Sequence, residues 1–176
     1  MTFDQGQVQV YTGNGKGKTT AALGLALRAV GHGGQVCLVQ FMKGGGPYGE
    51  HLAAERLAPH LTVFRTGRAG WVRKGNPDPA DIAEAREALE LSRIALTSGR
   101  YDLVVLDEIN GAVDFGLFPV EEVLALLSLR PHNVELILTG RNAHPQLLAA
   151  ADLVTEMQEV KHYFRQGVAV REGIER

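Results

Sequence analysis

Seven residues near the N-terminus combine glycines, lysines and a hydroxyl group in a spacing suited to phosphate. They are Gly13-Asn14-Gly15-Lys16-Gly17-Lys18-Thr19. The glycines let backbone N–H groups turn inwards and approach phosphate oxygens without a Cβ in the way. Lys18 adds a positive charge for the phosphates, and the hydroxyl of Thr19 is a suitable ligand for Mg²⁺. The segment is therefore predicted to bind a nucleoside triphosphate.

This loop departs from the usual phosphate-loop pattern at its first position. The pattern has glycine five residues before Gly17, where this chain has Thr12, and the glycine comes one place later at Gly13. A glycine-rich turn that opens an ordinary helix is the alternative interpretation. The strand-like residues before the loop and the helix-like residues after it favour phosphate binding, because a helix N-terminus also attracts anions.

Two adjacent carboxylates follow an apolar run further along the chain. Leu103-Val104-Val105-Leu106 leads directly into Asp107 and Glu108. Mg²⁺ prefers oxygen ligands, so a carboxylate at this place binds the ion directly or through water. Alone, the pair would indicate a helix cap or a surface turn. Together with the phosphate loop, it predicts a divalent-metal site formed by Thr19, Glu108 and Asp107.

These side chains need a scaffold that brings them together, and the apolar pattern predicts one. Short strand-like runs alternate with longer helix-like runs, which favours a three-layer α/β fold with a mainly parallel sheet. Ligands bind beyond the carboxyl ends of such strands, where the polar segments 43–47 and 66–79 are predicted loops. The predicted strands are 7–12, 35–40, 61–64, 103–106, 134–138 and 153–157, and the predicted helices are 18–30, 81–98, 145–151 and one opened by Pro119.

Composition argues against several other classes of protein. The chain has 176 residues, 45% of them apolar, with 18 basic and 20 acidic side chains. We expect one domain over residues 1–176, with no general attraction to nucleic acid. Neither an apolar run long enough to span a membrane nor a signal-peptide pattern is found. A single cysteine, Cys37, suits a reducing compartment, so a cytoplasmic location is predicted.

Several separated motifs, taken in order, resemble those of the ATP:corrinoid adenosyltransferases of the cobalamin pathway. The resemblance runs from about residue 7 to the C-terminus and implies a P-loop NTPase (RecA-like) fold. The motifs are the segment 12–22, Gln40-Phe41-Met42-Lys43-Gly44, Val105-Leu106-Asp107-Glu108-Ile109, Leu138-Thr139-Gly140-Arg141, Val154-Thr155-Glu156-Met157, Val160-Lys161-His162 and Gly173-Ile174-Glu175.

The resemblance implies transfer of the 5′-deoxyadenosyl group of ATP to the cobalt of a reduced corrinoid, with release of triphosphate. The acceptor would be cobalamin, cobinamide or a cobyrinate, in adenosylcobalamin biosynthesis or salvage. Cobalt(I) is the nucleophile, so the protein positions ATP, neutralises the leaving triphosphate and shields the cobalt. Mg²⁺ or Mn²⁺, a flavodoxin- or flavin-type reductase and a homodimer are also implied.

Roles for individual residues follow from the same resemblance. Lys18, Thr19 and Glu108 are expected to be catalytic. Trp71 stands where many members have an aromatic residue against the lower corrin face, whereas Arg73 replaces a second aromatic. For Arg28, an ordinary solvated helix arginine is the alternative. The predicted cofactor-binding residues are Gly13, Asn14, Gly15, Lys16, Gly17, Lys18, Thr19, Thr20, Arg28, Trp71 and Arg141. Asn142, Lys161 and His162 follow late strands and are expected to face the substrate, and His162 is left out of the metal site.

Two other functions stay open on the residues alone. A P-loop kinase needs a cationic lid over the phosphates, and the loop after the third strand contains Arg68, Arg73 and Lys74. A regulatory ATPase without catalysis would need only the nucleotide site. A GTPase is disfavoured, because the chain has no Asn-Lys-x-Asp motif for reading the base.

Overall fold

The computed structural model describes residues 4–175, which form a six-stranded parallel sheet flanked by helices. The strands are β1 (Val8–Thr12), β2 (Val36–Gln40), β3 (Leu61–Arg65), β4 (Leu103–Asp107), β5 (Glu135–Thr139) and β6 (Leu153–Glu156). The helices are α1 (Lys18–Gly31), α2 (Gly49–Leu57), α3 (Pro79–Thr97), α4 (Ile109–Asp114), α5 (Val120–Leu129) and α6 (Pro145–Ala150), and a short 3₁₀ helix covers Tyr163–Gln166.

The strand order is β3-β2-β4-β5-β1-β6, and every neighbouring pair is parallel. All six strands therefore end at the same edge of the sheet. A single strand, β5, separates β1 from β4, so the strand before the phosphate loop and the acidic strand lie about 10 Å apart. The predicted α/β class and P-loop NTPase architecture are confirmed.

Two apolar cores cover the two faces of the sheet. Alternate residues of β2 divide between them, with Val36 and Leu38 packed towards α1 and α2, and Cys37 and Val39 packed towards α3, α4, α5 and α6. Burial on both faces explains why the central strands are continuous apolar runs, as parallel sheets require. It also raises the pKa of the Cys37 thiol to about 12, so this cysteine is an inert core residue.

Most predicted elements agree with the structure, with differences at the ends and in two short helices. Helix α3 begins two residues earlier than predicted, because Pro79 occupies its first turn and the Asp78 carboxylate accepts a hydrogen bond of 2.8 Å from the Ala80 N–H. Helices α2 and α4 were not predicted. Within residues 4–175, no helix is both long and apolar enough to cross a membrane.

Candidate functional site at the carboxyl edge of the sheet

The phosphate loop joins β1 to α1 and curls around the ammonium group of Lys18. Gly13 and Gly17 have φ angles of 96° and 121°. Residues with a Cβ rarely adopt these angles, so glycine is needed at both positions. The Lys18 Nζ donates hydrogen bonds of 2.8 Å to the carbonyl oxygens of Gly13 and Gly15. Burial lowers the pKa of Lys18 below its ordinary value. The predicted loop thus forms at the N-terminus of a 14-residue helix.

The chain after β6 packs directly against this loop. The Gly15 N–H donates to the Met157 carbonyl oxygen at 2.7 Å, and the Met157 N–H donates to the Thr12 carbonyl oxygen at 2.8 Å. A Cβ on Gly13 would lie 2.4 Å from the Met157 oxygen, and one on Gly15 would lie 2.8 Å from the carbonyl of Gln158. These glycines therefore also allow close backbone packing, a requirement that sequence reasoning did not predict.

Asp107 holds the hydroxyl of Thr19 from across the sheet. Asp107 is fully buried, and its Oδ1 accepts hydrogen bonds from the Thr19 hydroxyl at 2.8 Å and from the Thr139 hydroxyl at 2.6 Å. Its Oδ2 accepts from the Gln40 amide at 3.2 Å. The structure thus brings together Thr19 and Asp107, whose positions lie 88 residues apart in the chain.

Glu108 lies beside this network, at the entrance to α4. Its backbone φ angle of 64° lies in the left-handed region, which is unusual for a residue other than glycine. Its N–H donates a hydrogen bond of 3.0 Å to Thr139 Oγ1. Burial, and then the charge of Asp107, raise the pKa of Glu108, while Lys43, Lys18 and Arg141 act in the opposite direction. Three cations therefore lie close enough to Glu108 for their charges to act on it.

The donor atoms at this edge suit a hard divalent cation. Mg²⁺ takes oxygen ligands and keeps several waters, with few groups supplied by the protein. The Glu108 carboxylate and the Thr19 hydroxyl are oxygen donors of this kind, and Asp107 fixes the hydroxyl. Among residues 4–175 no three His, Cys, Asp or Glu side chains converge into a ready-made cage. The site therefore suits an ion shared with a bound phosphate group.

Lys16, the second cation of the loop, contacts the C-terminal segment. Its Nζ donates to the Ile174 carbonyl oxygen at 2.9 Å and lies 3.8 Å from the Glu175 carboxylate. Hydrogen bonds from Arg171 and Tyr163 lower the pKa of Glu175 to about 2, so this carboxylate is charged at neutral pH. The Gly173-Ile174-Glu175 motif thus lies next to the phosphate loop.

The loop between β3 and α3 carries Trp71 over an open cavity of about 500 Å³. The Trp71 side chain is 98% exposed, so it has no role in the core. Lys74 of this loop pairs with Asp114 at 2.7 Å, and Asp114 accepts a further hydrogen bond of 2.9 Å from Asn142. The loop is thereby attached to residues that follow β4 and β5, close to Arg141.

A comparison with known proteins identifies the family. The model described as "ATP:corrinoid adenosyltransferase BtuR/CobO/CobP" matches residues 4–176 of the chain. The chain belongs to this family. It is 42% identical over 172 residues to the corrinoid adenosyltransferase of Escherichia coli (strain K12), an alignment that covers 98% of this chain and 86% of the relative.

Two further relatives carry the same description. The "Corrinoid adenosyltransferase CobA" of Salmonella typhimurium (strain LT2) is 41% identical over 98% of this chain and 86% of its own length. A corrinoid adenosyltransferase of Pseudomonas aeruginosa is 38% identical over 98% of this chain and 84% of its own length. The resemblance inferred from separated motifs is therefore confirmed along nearly the whole chain.

Not every residue expected from this adenosyltransferase family joins the loop cluster. Arg28 lies exposed in the last turn of α1, and ten residues of helix place it about 15 Å from Lys18 along the axis. Within one chain, the structure does not bring it to the phosphate loop. His162 caps the 3₁₀ helix by accepting from the Phe164 N–H at 3.1 Å.

Other predicted positions lie on the open side of the loop. Asn14 is exposed at its tip, and Thr20 is exposed in the first turn of α1. Arg141 is also exposed, just after β5, where its charge acts on both Lys18 and Glu108. These residues therefore surround a surface that a bound triphosphate could reach.

Three residues of the site were missed as contributors: Gln40, Lys43 and Thr139. Gln40 is the last residue of β2 and Thr139 is the last residue of β5, and these two strands lie on either side of β4. Lys43 follows β2. All three belong to motifs that resemble the family, and this resemblance could have indicated that they contribute to the site. Their roles could not be read without the strand order, because it alone places β2 and β5 on either side of the acidic strand.

Proposed function

We propose that this chain transfers the 5′-deoxyadenosyl group of ATP to the cobalt of a reduced corrinoid and releases triphosphate. The proposed activity belongs to one P-loop domain over residues 1–176. The observation that carries the proposal is the intact phosphate loop with Thr19 hydrogen-bonded to Asp107, in a chain that matches this family from residue 4 onwards. Complete cobalamin, cobinamide and a cobyrinate are the candidate acceptors.

The proposed reaction is a single displacement at carbon. The electron pair of cobalt(I) attacks C5′ of the ribose, and the C5′–O5′ bond breaks as the Co–C bond forms. The electrons of the broken bond leave on the triphosphate, while the cobalt is formally oxidised to cobalt(III). No water is activated, so the protein needs no general base and acts through positioning and electrostatics.

The leaving triphosphate gains negative charge, and the surrounding cations match that requirement. Lys18 lies within the loop, while Lys43 and Arg141, which follow the two strands beside β4, lie close enough for their charges to act on Glu108. In this proposal ATP replaces the loop carbonyls as the partner of Lys18, and Lys16 turns from Ile174 towards the phosphates. Fixed cations stabilise the departing group without reorganisation.

We assign Thr19 and Glu108 as direct ligands of Mg²⁺ or Mn²⁺, with Asp107 as the residue that holds Thr19. This assignment refines the expected set, because both oxygens of Asp107 already accept hydrogen bonds from Thr19, Thr139 and Gln40. When bound, the ion would neutralise charge on the triphosphate. Glu108 is then a metal ligand and has no role as a base.

The corrinoid is proposed to bind at the loop between β3 and α3. The 98% exposure of Trp71 supports this assignment, because a large aromatic ring left in solvent indicates a binding surface. Arg68 and Arg73 line the same cavity. Arg73 stands where an aromatic would cover the corrin, so Trp71 is proposed to provide most of the apolar contact with the lower face.

The loop cations give little support to the kinase alternative. Arg68 lies 3.2 Å from Asp78 and 3.8 Å from Asp81, and Lys74 lies 2.7 Å from Asp114. These ion pairs engage two of the three cations that a phosphate lid would need. A non-catalytic regulatory ATPase offers no reason for an exposed Trp71 beside the cavity.

We further propose a cytoplasmic homodimer that receives electrons from a flavodoxin- or flavin-type reductase. Support for the dimer comes from β6, which pairs only with β1 among the described strands and leaves its outer edge open. Leu153 and Val154 on this strand are 44% and 46% exposed. Light scattering during gel filtration tests the dimer, with Val154→Lys expected to shift the mass towards the monomer.

The reductase is required because cobalt must reach the +1 state.

Anaerobic spectroscopy tests the adenosylation directly. The protein is mixed with ATP, Mg²⁺ or Mn²⁺ and chemically reduced cobalamin, and the absorption change of Co–C bond formation is followed. Lys18→Ala is the matched control and is expected to abolish the change. Absence of the change in the unmodified protein, with ATP still bound, would refute the proposed function and leave the regulatory ATPase as the better account.

A further inference from the structure

Gln40 is a buried polar residue whose contacts extend the acidic site away from the phosphate loop. It is the last residue of β2 and is fully buried. Its Nε2 donates to Asp107 Oδ2 at 3.2 Å and to Glu50 Oε1 at 3.1 Å, while its Oε1 accepts from His51 Nε2 at 2.6 Å. A buried amide with this many partners has one permitted orientation.

His51 fixes which end of the amide faces Asp107. The Nδ1 of His51 accepts a hydrogen bond of 3.0 Å from the Tyr48 N–H, so in the neutral ring the proton is on Nε2. That proton can only be donated to an oxygen, and the Gln40 oxygen must therefore point at His51. The amide nitrogen is left facing the Asp107 carboxylate, as the structure shows.

We propose that Gln40 and His51 are positioning residues for the divalent-metal site. Gln40 holds Oδ2 of Asp107, which leaves Oδ1 directed at the Thr19 hydroxyl, and His51 holds Gln40. The chain of hydrogen bonds therefore runs from the first turn of α2, through two strands, to the hydroxyl assigned to the metal. This inference rests on the proposed function, since it concerns the metal site assigned there.

Residues that do not touch the metal but hold its ligands through hydrogen bonds commonly affect metal affinity. Hydrogen-bond partners of metal ligands orient those ligands, and their removal typically weakens metal binding by about 10- to 100-fold. Here Thr19 would be the metal ligand, Asp107 is hydrogen-bonded to Thr19, and Gln40 is hydrogen-bonded to Asp107. We therefore expect removal of the His51 contact to have an effect of about 10-fold, at the lower end of that range.

Two substitutions of His51 separate positioning from helix capping. In His51→Asn the side-chain oxygen takes the place of Nδ1, so the contact with the Tyr48 N–H is kept and the contact with Gln40 is lost. In His51→Gln the amide nitrogen takes the place of Nε2, so the reverse holds. If His51 served only to cap α2, asparagine would preserve its function and glutamine would impair it.

The test measures ATP affinity by calorimetry, with Mg²⁺ and with EDTA, on the full chain. We expect His51→Asn to weaken Mg²⁺-dependent binding about 10-fold while metal-free binding and the melting temperature stay unchanged. His51→Gln should retain the Mg²⁺-dependent affinity of the unmodified protein. Gln40→Met, which removes the amide at similar volume, should lose at least as much affinity as His51→Asn.

The opposite ranking would overturn the proposal: normal Mg²⁺-dependent affinity in His51→Asn with a loss in His51→Gln. Equal affinities for ATP with and without Mg²⁺ in the unmodified protein would also overturn it, together with the metal assignment. Failure of the adenosylation proposal is distinguishable, because an unmodified protein that binds ATP with Mg²⁺ but forms no Co–C bond still permits the comparison of the two His51 variants.

Discussion

At the scale of single residues, Glu108 combines a cost in stability with its proposed role as a metal ligand. It occupies a left-handed backbone conformation with φ at 64°, directly after a buried strand. Burial and the adjacent Asp107 raise its pKa, so its charged form is disfavoured in the folded protein. Strained and perturbed groups concentrate at functional sites, which supports the proposed role of Glu108.

Glu108→Gln is predicted to stabilise the metal-free protein while removing most of the activity. Because the folded-state pKa of Glu108 lies above the unfolded value, the folded state binds its proton more tightly. Stability therefore falls as pH rises from the unfolded pKa through the folded one. The variant should melt at a higher temperature than the unmodified protein at pH 7 in EDTA, and this difference should disappear below about pH 4.

Adenosylation by the same variant should fall by about 100-fold, a typical effect of losing one electrostatic contact to a developing charge. Initial rates at saturating ATP provide the measurement, and Glu121→Gln, in the exposed first turn of α5, is the control. A Glu108→Gln protein with unchanged rates would contradict the metal assignment. One with a lower melting temperature at pH 7 would contradict the pKa argument.

Residue types predicted the chemical groups of the site but not all of their partners. The pairing of Thr19 with the acidic segment could be predicted, because a phosphate loop and a carboxylate after a buried strand serve the same ion. The contacts of Gln40 and Thr139 could not, because polar residues at the ends of apolar runs have many possible neighbours. Their roles depend on the order of strands that lie far apart in sequence.

At the scale of elements, the loop before α1 and the middle of α1 place different demands on glycine. Gly15→Ala is predicted to destabilise the protein and to weaken ATP binding, since its Cβ would lie 2.8 Å from the backbone of Met157 and Gln158. Gly24→Ala is the matched control in the exposed middle of α1, where a Cβ would meet nothing within 4 Å. It should stabilise the protein by about 0.5–1 kcal/mol through helix propensity.

Chemical denaturation of both glycine variants, with ATP affinity measured alongside, checks this contrast. Equal effects from the two substitutions would mean that packing of the chain after β6 against the loop does not constrain Gly15. The melting temperature should follow the same order as the free energy of unfolding.

The loop between β3 and α3 should act on the corrinoid and leave the nucleotide unaffected. Trp71→Ala is predicted to slow adenosylation about 10-fold with little change in ATP affinity or melting temperature, because the ring is exposed and its loss removes stacking of roughly 1–2 kcal/mol. Trp71→Phe, which keeps an aromatic face, should recover much of the rate. Unchanged turnover in Trp71→Ala would refute the proposed role of the ring.

Most elements could be predicted, since strand and helix periods differ clearly in the buried parts of the chain. Helices α2 and α4 were missed for physical reasons. The apolar content of α2 is low and only Ala54 is buried, while α4 has six residues, too few for a periodic pattern. Helix α2 follows the segment that contains Lys43, and α4 follows Glu108, so both helices adjoin the candidate site.

At the scale of the whole molecule, two segments of the C-terminal region contact the phosphate loop. The segment after β6 contacts Gly15 through Met157, and the final residues contact Lys16 through Ile174 and Glu175. The motifs that contain Met157, Ile174 and Glu175 therefore lie next to the phosphate loop, an arrangement that their sequence positions alone did not predict. It explains how the resemblance to the family extends to the C-terminus.

The identity of the phosphate product distinguishes adenosyl transfer from phosphoryl transfer. ATP, Mg²⁺ and reduced cobalamin are incubated with the protein without oxygen, and the nucleotide and phosphate products are separated by ion-exchange chromatography. We expect one intact triphosphate to be released for each Co–C bond formed, with no ADP. Release of ADP with orthophosphate, or of ADP with a phosphorylated acceptor, would contradict this expectation and favour a phosphoryl-transfer enzyme.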